Sequence, residues 1–357
     1  MIFDFLLRSF RILLLPFALV YGLIIWVRNK LYDINIFKSS DFGLPLISVG
    51  NLSVGGTGKS PMVEYIVELL INKYKIATLS RGYKRKTKGY SLAKTNSTAL
   101  DIGDEPMQFH LKFPSLTVAV GEQRVEAIPQ LLHDKPETEC IILDDAFQHR
   151  AIKSGLDILL SEHDNLFVND FYLPTGDLRD LKSSYLRAEI IVVTKCKPDL
   201  SDLARNKIIN LIKPQTGQKI FFTAIEYGRC YHLINKNTVE INSKTEVLLL
   251  TGIANPKPLK KLVEEQSKTY SLVQFRDHHI FTIDDLRDIR ERFEAIEAKE
   301  KIILTTEKDA VRLIKFGNEL EKLPVYVIPV RHQFLFGEGK WFDETVESFI
   351  KKFKKIN

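Results

Sequence analysis

The sequence predicts an α/β protein built on a doubly wound, mostly parallel sheet, and three observations indicate this class. Short apolar runs typical of buried parallel strands alternate with segments of helical length. A glycine-rich turn at residues 53–58 separates the first apolar run from a helical segment. A later apolar run, residues 140–143, ends in Asp144 and Asp145. Ligands of open α/β sheets bind at such carboxyl ends of strands.

The turn and the residues after it match a phosphate-binding loop, so the predicted fold is P-loop NTPase-like. Lys59 would reach the β- and γ-phosphates of a nucleotide, and the Ser60 hydroxyl would ligate Mg²⁺. The usual loop begins with glycine, whereas this one begins with Ser53. The alternative is a plain glycine-rich turn. The predicted nucleotide-binding residues are Ser53, Val54, Gly55, Gly56, Thr57, Gly58, Lys59 and Ser60.

Asp144 and Asp145 are the predicted acidic half of the same site. One of them should hold Mg²⁺, directly or through water, together with Ser60. The residues do not decide which aspartate is the inner ligand. The alternative, a solvated pair of aspartates at a strand end, is common in isolation.

The elements fall into two sets along the chain. The first set has strands predicted at 44–50, 75–79, 116–120, 140–145, 156–160 and 189–194, and helices at 60–72, 122–133 and 203–212. The pattern changes near residues 217–223. The second set has strands at 247–253, 272–275, 301–305 and 325–329, and helices near 256–266 and 283–297. We therefore predict a nucleotide-binding core at 31–225, a smaller α/β domain closing over the site at 226–340, and a basic C-terminal helix at 341–357.

Composition excludes several classes of protein. The chain is 45% hydrophobic and 27% charged, as in an ordinary folded domain, and its formal charge of +6 is mild. Nucleic-acid binding usually needs a concentrated basic face, so no nucleic-acid partner is expected. The cysteines, Cys140, Cys196 and Cys230, are widely spaced and indicate neither a disulfide framework nor a zinc site.

The N-terminal segment, residues 1–30, is predicted to be a membrane-associated helix. Its uncharged apolar run, Ile12–Val27, is shorter than the roughly 20 residues that a spanning helix needs. No small-residue cleavage site follows, which argues against a signal peptide. A buried core helix is the alternative to an anchor lying in one leaflet. Cations at both ends and aromatic residues favour the anchor: Arg8, Arg11, Arg28, Lys30, Phe3, Phe5, Phe10, Phe17 and Trp26.

A phosphate loop alone leaves GTPase, motor ATPase and small-molecule kinase open. The guanine-reading pattern Asn/Thr-Lys-x-Asp is nearly present at 194–197, but Lys197 stands at its last position, which makes GTP doubtful. Charged and hydrogen-bonding residues recur instead in segments between strands. These segments are Ser80-Arg-Gly-Tyr83, Gly103-Asp-Glu-Pro106, Gly121-Glu-Gln-Arg124, Asp144-Asp-Ala-Phe-Gln-His-Arg150, Leu173-Pro-Thr-Gly-Asp-Leu-Arg-Asp180 and Arg276-Asp-His-His-Ile-Phe281.

One set of segments spans nearly the whole chain in order: Val49-Gly-Asn-Leu-Ser-Val-Gly-Gly-Thr-Gly-Lys-Ser-Pro61, Ser80-Arg-Gly-Tyr83, Gly103-Asp-Glu-Pro106, Leu143-Asp-Asp-Ala-Phe-Gln-His149, Gly252-Ile-Ala-Asn-Pro256, Asp277-His278 and Thr306-Glu-Lys-Asp309. Together with the N-terminal helix, these segments resemble the tetraacyldisaccharide 4′-kinase family. The resemblance implies a lipid kinase at the cytoplasmic face of the inner membrane. Its substrates would be ATP and the lipid A disaccharide precursor, with Mg²⁺ as cofactor, and the γ-phosphoryl group would pass to the 4′-hydroxyl. The segment Thr175-Gly-Asp-Leu-Arg179 matches the family's Gly-Pro-Leu-Arg pattern only in part.

The resemblance also implies roles for individual residues. Asp104, expected in a loop of the first domain, matches the family's general base, with His278 as its partner and Lys59 as the third catalytic residue. Arg81, Arg124 and Arg179 would bind the substrate's 1-phosphate, since arginine forks onto phosphate oxygens. Each arginine could equally form a surface ion pair. The implied partners are the lipid precursor and an anionic membrane surface, and no obligate protein partner is expected.

Two other classes fit part of the pattern. A membrane-tethered ATPase or GTPase that switches a partner would explain residues 53–60, the two aspartates and the anchor, but not Asp104, His278 or the arginines. A non-catalytic nucleotide sensor would explain less.

Overall fold

Two β-sheets organise the chain in the computed structural model, which describes residues 11–356 and side chains as far as residue 353. Residues Phe3, Phe5, Arg8 and Phe10, which entered the prediction of a membrane helix, lie outside this range. The elements of the first domain come first along the chain. They are α1 (Leu15–Asp33), β1 (Leu46–Asn51), α2 (Lys59–Leu70), β2 (Ile76–Ser80), β3 (Ser91–Leu92), α3 (Ala99–Ile102), α4 (Asp104–Lys112), β4 (Thr117–Val120), α5 (Arg124–Asp134), β5 (Cys140–Asp144), β6 (Leu156–Glu162), β7 (Ile190–Cys196), α6 (Asp202–Ile212) and β8 (Lys219–Tyr227).

The elements of the second set follow, and the last two of them, Val330–Phe334 and Gly339–Ile356, pack against the first domain. The set comprises β9 (Cys230–His232), β10 (Thr238–Val239), β11 (Glu246–Thr251), α7 (Lys257–Gln266), β12 (Thr269–Gln274), α8 (Ile283–Glu294), β13 (Lys301–Thr306), α9 (Glu307–Leu313), α10 (Gly317–Leu320), β14 (Val325–Ile328), β15 (Val330–Phe334) and α11 (Gly339–Ile356). Short 3₁₀ turns occupy Phe167–Asn169, Lys182–Arg187 and Ile314–Phe316.

The larger sheet has nine strands in the order β15-β8-β7-β6-β1-β5-β2-β4-β3. Only its two edge pairs, β15 with β8 and β3 with β4, are antiparallel. Strand β1 lies between β5 and β6, with Val49 opposite Asp144. This register brings the phosphate loop and the aspartates to the same edge of the sheet, because the carboxyl ends of parallel strands meet there.

Helices cover both faces of this sheet, as a doubly wound fold requires. Alternate residues of each central strand face opposite sides. Ile47 and Ile142 pack with residues of α2, α4 and α11, whereas Leu46 and Ile141 pack with α5. The residues of β1 are buried without exception, which explains why the sequence reads as a continuous apolar run there. The predicted α/β class is confirmed.

The smaller sheet has six strands in the order β10-β9-β14-β13-β11-β12. Strands β14, β13, β11 and β12 are parallel to one another. Helices α8 and α9 pack on one face and α7 on the other. The predicted second βα set therefore has the expected elements, with boundaries shifted by a few residues.

The chain returns to the larger sheet after β14, and this return differs from the predicted organisation. We expected the smaller domain to continue to residue 340, but β15 pairs with β8 along five residue pairs, from Val330–Tyr227 to Phe334–Thr223. Helix α11 then buries Phe342, Val346 and Ile350 in the core around α2. Short apolar strands carry no information about which of two sheets they join, so the sequence could not place β15.

Helix α1 lies against the first domain with one face and leaves another exposed. Ala18, Gly22 and Asn29 are buried, and the Asn29 amide donates to Asp180 Oδ1 over 2.8 Å. A Cβ at Gly22 would lie 2.8 Å from the Tyr172 ring, so glycine permits the close approach. The exposed apolar residues include Phe17, Leu19, Val20, Leu23, Ile24 and Trp26. Within residues 11–356, no helix has the combined length and apolar character needed to cross a membrane.

Candidate active site

The phosphate loop connects β1 to α2 and is shaped by two residues with positive φ. Gly55 has φ +113° and Gly58 has φ +87°, a region that glycine adopts without strain. Gly58 is the N-cap of α2. The loop is tied down by bonds from Val54 N to Asp177 O, 2.8 Å, and from Thr194 Oγ1 to Thr57 O, 2.9 Å. The first N–H groups of α2 therefore have the arrangement that suits an anion at a helix N-terminus.

Lys59, the first residue of α2, extends its amine toward the ends of β1 and β5. Its Nζ lies 3.1 Å from Asn51 Oδ1 and 3.7 Å from Asp145 Oδ1. The ammonium is thus held beside the loop by a neutral acceptor and one carboxylate. This is where a lysine must be to reach the terminal phosphates of a nucleotide.

The two aspartates at the end of β5 have opposite electrostatic environments. Asp145, in the left-handed region with φ +51°, accepts two hydrogen bonds from Arg179, one of 3.1 Å. Burial works to raise the Asp145 pKa, but the Arg179 bond and the Lys59 charge hold it below its usual value. Asp144 is 4% exposed, and burial, together with the charges of Glu105 and Asp145, raises its pKa to about 7.

This difference bears on which residues fit Mg²⁺. For Asp144, burial and the neighbouring carboxylates outweigh the charges of Lys59 and Arg124, and a bound divalent cation would supply further positive charge. Ser60 lies in the first turn of α2, buried beside the loop. Among the described residues, no group of three or more His, Cys, Asp or Glu side chains could hold a metal ion. Protein-bound Mg²⁺ is commonly held by one or two carboxylates together with substrate phosphates and water. Ser60 and Asp144 are suitable ligands for Mg²⁺ in such a site. Asp145 already pairs with two cations.

The predicted proton acceptor and its partner meet across the two domains. His278 Nδ1 lies 2.8 Å from Asp104 Oδ2, and the buried Arg312 places Nε 3.8 Å from the same oxygen. The Tyr83 ring packs edge-on against the imidazole, with centroids 5.8 Å apart. The two side chains are about one-fifth exposed or less, so the pair is sheltered but reachable.

Asp104 is not in a loop, as the sequence suggested, but is the first residue of α4. Gly103 precedes it with φ +95°, and a Cβ there would lie 3.1 Å from the backbone of Gly82. Only glycine lets α4 begin so close to the segment that carries Arg81 and Tyr83. A helix start explains the turn-like Gly-Asp-Glu-Pro pattern, since proline is favoured in a first turn.

The three predicted substrate-binding arginines line one cleft of about 300 Å³. Arg81 has no hydrogen-bond or ion-pair partner within residues 11–356. Arg179 bonds Asp145 and Asn51. Arg124 is 2% exposed and donates to the carbonyls of Glu122 and Asp144, and burial lowers its pKa to about 10. The remaining lining residues are Tyr21, Ile25, Arg28, Asp145, Gln148, His149 and Asp180.

Sequence reasoning missed several residues of this region. Arg28 was interpreted as a cation flanking a membrane helix, yet it lines the cleft and donates to Gln148 O over 3.0 Å. Asn51 bonds both Lys59 and Arg179. Glu105 pairs with Lys308 of the second domain over 2.8 Å and lies near Asp144. Asn51, Glu105 and Lys308 stand inside segments that carry the family resemblance, which was the available signal.

Comparison with known proteins gives one consistent result. The model of the family described as Tetraacyldisaccharide-1-P 4′-kinase matches residues 10–351. The tetraacyldisaccharide 4′-kinase of Flavobacterium psychrophilum is 45% identical over 95% of this chain and 96% of its own. That of Bacteroides thetaiotaomicron is 41% identical over 95% and 93%. A crystal structure of LpxK from Aquifex aeolicus in complex with ATP superposes with a TM-score of 0.74 at 28% identity, covering 96% of this chain and 99% of that one.

These matches span nearly the full length of this chain and of the proteins compared with it. They agree with the presence of a phosphate loop, a paired aspartate and histidine, and an arginine-lined cleft in one fold. They also exclude the regulatory-switch and sensor alternatives as the main activity. The chain therefore belongs to the tetraacyldisaccharide 4′-kinase family, and it is an ATP-dependent kinase of the lipid A precursor.

Proposed function

We propose that this enzyme phosphorylates its lipid at the cytoplasmic face of the inner membrane, with Asp104 accepting the proton of the 4′-hydroxyl. The observation that carries this proposal is the 2.8 Å contact between Asp104 and His278 across the two domains. Glu105, the next residue after Asp104, is close enough to Asp144 to raise its pKa. The proton acceptor and the nucleotide site therefore belong to one reaction centre.

The nucleotide end of the reaction uses the loop and the residues around it. The N–H groups at the start of α2 and the Lys59 ammonium would bind the β- and γ-phosphates. Ser60 and Asp144 would hold Mg²⁺, with Asp144 as the carboxylate ligand because Asp145 is neutralised by Arg179 and Lys59. Bound Mg²⁺ supplies charge neutralisation on the β- and γ-oxygens during transfer.

The acceptor end uses the Asp104–His278 pair. The 4′-oxygen forms a bond to the γ-phosphorus while the bond to the β–γ bridging oxygen breaks, and ADP leaves with that electron pair. The hydroxyl proton passes to the Asp104 carboxylate. His278 donates Nδ1–H to the carboxylate and so fixes the direction of its second oxygen. The smaller domain already places His278 at the site, and this contact shelters the carboxylate from water during transfer.

The substrate's 1-phosphate is proposed to bind in the arginine cleft. Arg81 is free to fork onto phosphate oxygens, and Arg28 adds a second cation from α1. Arg179 would contribute after exchanging part of its contact with Asp145. Arg124 is buried against backbone carbonyls, so we propose that it supports the cleft with its positive charge more than by direct contact.

Helix α1 connects this cleft to the proposed membrane surface. Tyr21, Ile25 and Arg28 are spaced by four and three residues, which places them on one face, and that face lines the cleft. The remaining surface exposes apolar residues that include Phe17, Leu23 and Ile24. An exposed apolar strip of this size is typical of a helix lying in a membrane interface. The acyl chains of the substrate could then stay in the bilayer while its headgroup enters the cleft.

The direct test incubates the purified enzyme with Mg-ATP and tetraacyldisaccharide 1-phosphate and follows the lipid by mass. One added phosphate, placed at the 4′ position by fragmentation, is the expected product. Parallel reactions with Asp104→Asn and with the surface variant Asp288→Asn test the proton acceptor, since Asp288 is exposed and pairs with Arg292 of the same helix, α8. Turnover of ATP at an equal rate without lipid would contradict the proposal.

A further inference from the structure

A buried histidine from the far end of the chain contacts the phosphate loop. His332, in the middle of β15, is 4% exposed. Its Nε2 lies 2.9 Å from the carbonyl oxygen of Gly58, and its Nδ1 lies 2.9 Å from Thr223 Oγ1 on β8. Gly58 is the residue before Lys59, so the imidazole lies directly behind the start of α2.

The chemistry of the partners fixes the protons on this imidazole. A carbonyl oxygen only accepts, so Nε2 must carry hydrogen and donate to Gly58. Burial lowers the pKa of His332 to about 4, which leaves the ring neutral and Nδ1 without a proton. Nδ1 therefore accepts from the Thr223 hydroxyl. Thr223 thus donates a hydrogen bond to His332, and His332 donates one to the carbonyl of Gly58.

The contact acts on the peptide that joins Gly58 to Lys59. In a planar trans peptide the C=O of one residue and the N–H of the next point in opposite directions. The Gly58 carbonyl accepts from His332 and from Met62 N, the latter over 3.1 Å. Fixing that carbonyl behind the loop aims the Lys59 N–H at the space in front of it, where phosphate binds.

Packing reinforces this orientation. A Cβ at Gly58 would lie 3.0 Å from both Cε1 and Nε2 of His332. The imidazole is therefore in van der Waals contact with the loop at Gly58, and the lack of a side chain there permits this close approach.

The strand that carries His332 is the one that returns from the second domain. Only Pro329 separates β14 of the smaller sheet from β15 of the larger. Val330 N lies 3.3 Å from Glu307 Oε2 at the start of α9, and Pro329 O accepts from Gly228 N over 3.0 Å. The position of the imidazole is thus linked to the crossover between the domains.

We propose that His332 is a positioning residue for nucleotide binding, which orients the Gly58–Lys59 peptide toward the β- and γ-phosphates. This inference rests on nucleotide binding at the 53–60 loop. His332 does not touch the nucleotide itself, because the Gly58 backbone lies between them.

The test compares variants of His332 with a matched histidine elsewhere. His232 is also buried, and its Nε2 donates to a carbonyl, Leu323 O, over 3.0 Å in the smaller sheet. For His332→Leu, the Kd of a fluorescent Mg-ATP analogue and the KM for ATP should rise about 3- to 10-fold, the range for one lost hydrogen bond. The KM for the lipid should stay unchanged. His232→Leu should leave both nucleotide constants at the wild-type value.

Two further variants keep the test decisive if His332→Leu does not fold. His332→Gln places an amide donor where Nε2 was and should restore nucleotide affinity to within about 3-fold. Thr223→Val removes the donor to Nδ1, so the proton is no longer confined to Nε2, and affinity should fall in the same direction by a smaller factor. An unchanged Kd in a folded His332→Leu would overturn the inference. If His332→Leu does not fold, an unchanged Kd in Thr223→Val would overturn it.

Failure of this inference is distinguishable from failure of the proposed function. If Lys59→Ala abolishes turnover while His332→Leu binds nucleotide normally, the loop assignment stands and the role of His332 is wrong. Equal loss of affinity for ATP and lipid in His332→Leu would also overturn it, since that result indicates general loss of structure.

Discussion

His278 and Asp104 are separated by 174 positions in the sequence, yet the imidazole Nδ1 lies 2.8 Å from the carboxylate Oδ2. A general base typically contributes about 10²–10⁴-fold to rate. We therefore expect Asp104→Ala to lower kcat by about that factor with little change in the KM for ATP. Steady-state kinetics on mixed micelles of the lipid measures both constants.

The same contact predicts how the effects of substituting the two residues on kcat combine. His278→Ala should cost a similar or smaller factor in kcat, and the double variant should be barely slower than the poorer single variant. Residues that act as one unit are strongly non-additive. Losses that multiply in the double variant would show instead that the residues act independently.

Lys59→Ala should abolish phosphoryl transfer and leave the fold intact, because the side chain points toward Asn51 and Asp145 rather than into the core. Circular dichroism and product analysis by mass check the two halves of this expectation. Lys340→Ala is the matched control, since Lys340 is 88% exposed on α11. Near-normal turnover in Lys59→Ala would remove the loop from the reaction.

Membrane association should depend on the exposed face of α1. Replacing Leu23 and Ile24, each 59% exposed, by serine should reduce flotation with vesicles that contain anionic lipid. ATP binding should be unchanged, because Leu23 and Ile24 are exposed on α1 and lie outside the 53–60 loop. Leu203→Ser is the matched control, since Leu203 is 83% exposed on α6. Deleting residues 1–30 would be less informative, since it also removes residues that line the cleft.

Unchanged flotation of the double serine variant would contradict the membrane role of α1. If flotation falls and activity on dispersed lipid does not, the helix binds membrane without delivering substrate.

Stability should fall with rising pH because of a buried cluster between the domains. Lys112 of α4 bonds Glu64 of α2 over 2.6 Å and Glu307 of α9 over 2.9 Å. Burial, together with the charge of Glu307, raises the pKa of Glu64 to about 7 from an ordinary value of 4.5. The single positive charge of Lys112 thus pairs with two carboxylates.

The direction in which the free energy of unfolding changes with pH depends on the number of protons bound in the folded and unfolded states. Between pH 4.5 and about 7 the folded protein holds a proton on Glu64 that the unfolded chain releases, so the free energy of unfolding decreases as pH rises through that window. Glu64→Gln should remove on the order of 2 kcal/mol of this decrease. Urea unfolding at pH 5 and pH 8 measures the slope, and Glu68→Gln, a more exposed carboxylate on α2, is the control. Equal slopes in wild type and Glu64→Gln would show that the cluster is not the source.

The parts of the site that the sequence predicted are those encoded by neighbouring residues. The 53–60 loop and the end of β5 are contiguous, so their glycine, lysine and aspartate spacing reports the geometry directly. The start of α4 at Asp104 was missed because glycine, acidic residues and proline occur both in turns and at helix starts.

Other parts depend on contacts that no local pattern encodes. Arg28 faces the cleft because of the rotation of α1 about its axis, which the buried Asn29–Asp180 bond helps to set. His332 reaches the loop only because β15 joins the larger sheet. A short strand at the end of a βα series predicts its own conformation but not its neighbours, so this contact stays hidden until the fold is known.

The return of the chain to the larger sheet has a consequence during synthesis. Gly58 and His332 are 274 positions apart, and the core around α2 is completed by Phe342, Val346 and Ile350. The ribosome therefore produces the phosphate loop long before the strand and helix that support it. The apolar face of α1 emerges earlier still and can find a surface while the nascent chain lacks a finished nucleotide pocket. Full affinity for ATP should therefore be reached only after the second domain has been made, and a chain stalled within that domain should bind ATP more weakly than the finished enzyme.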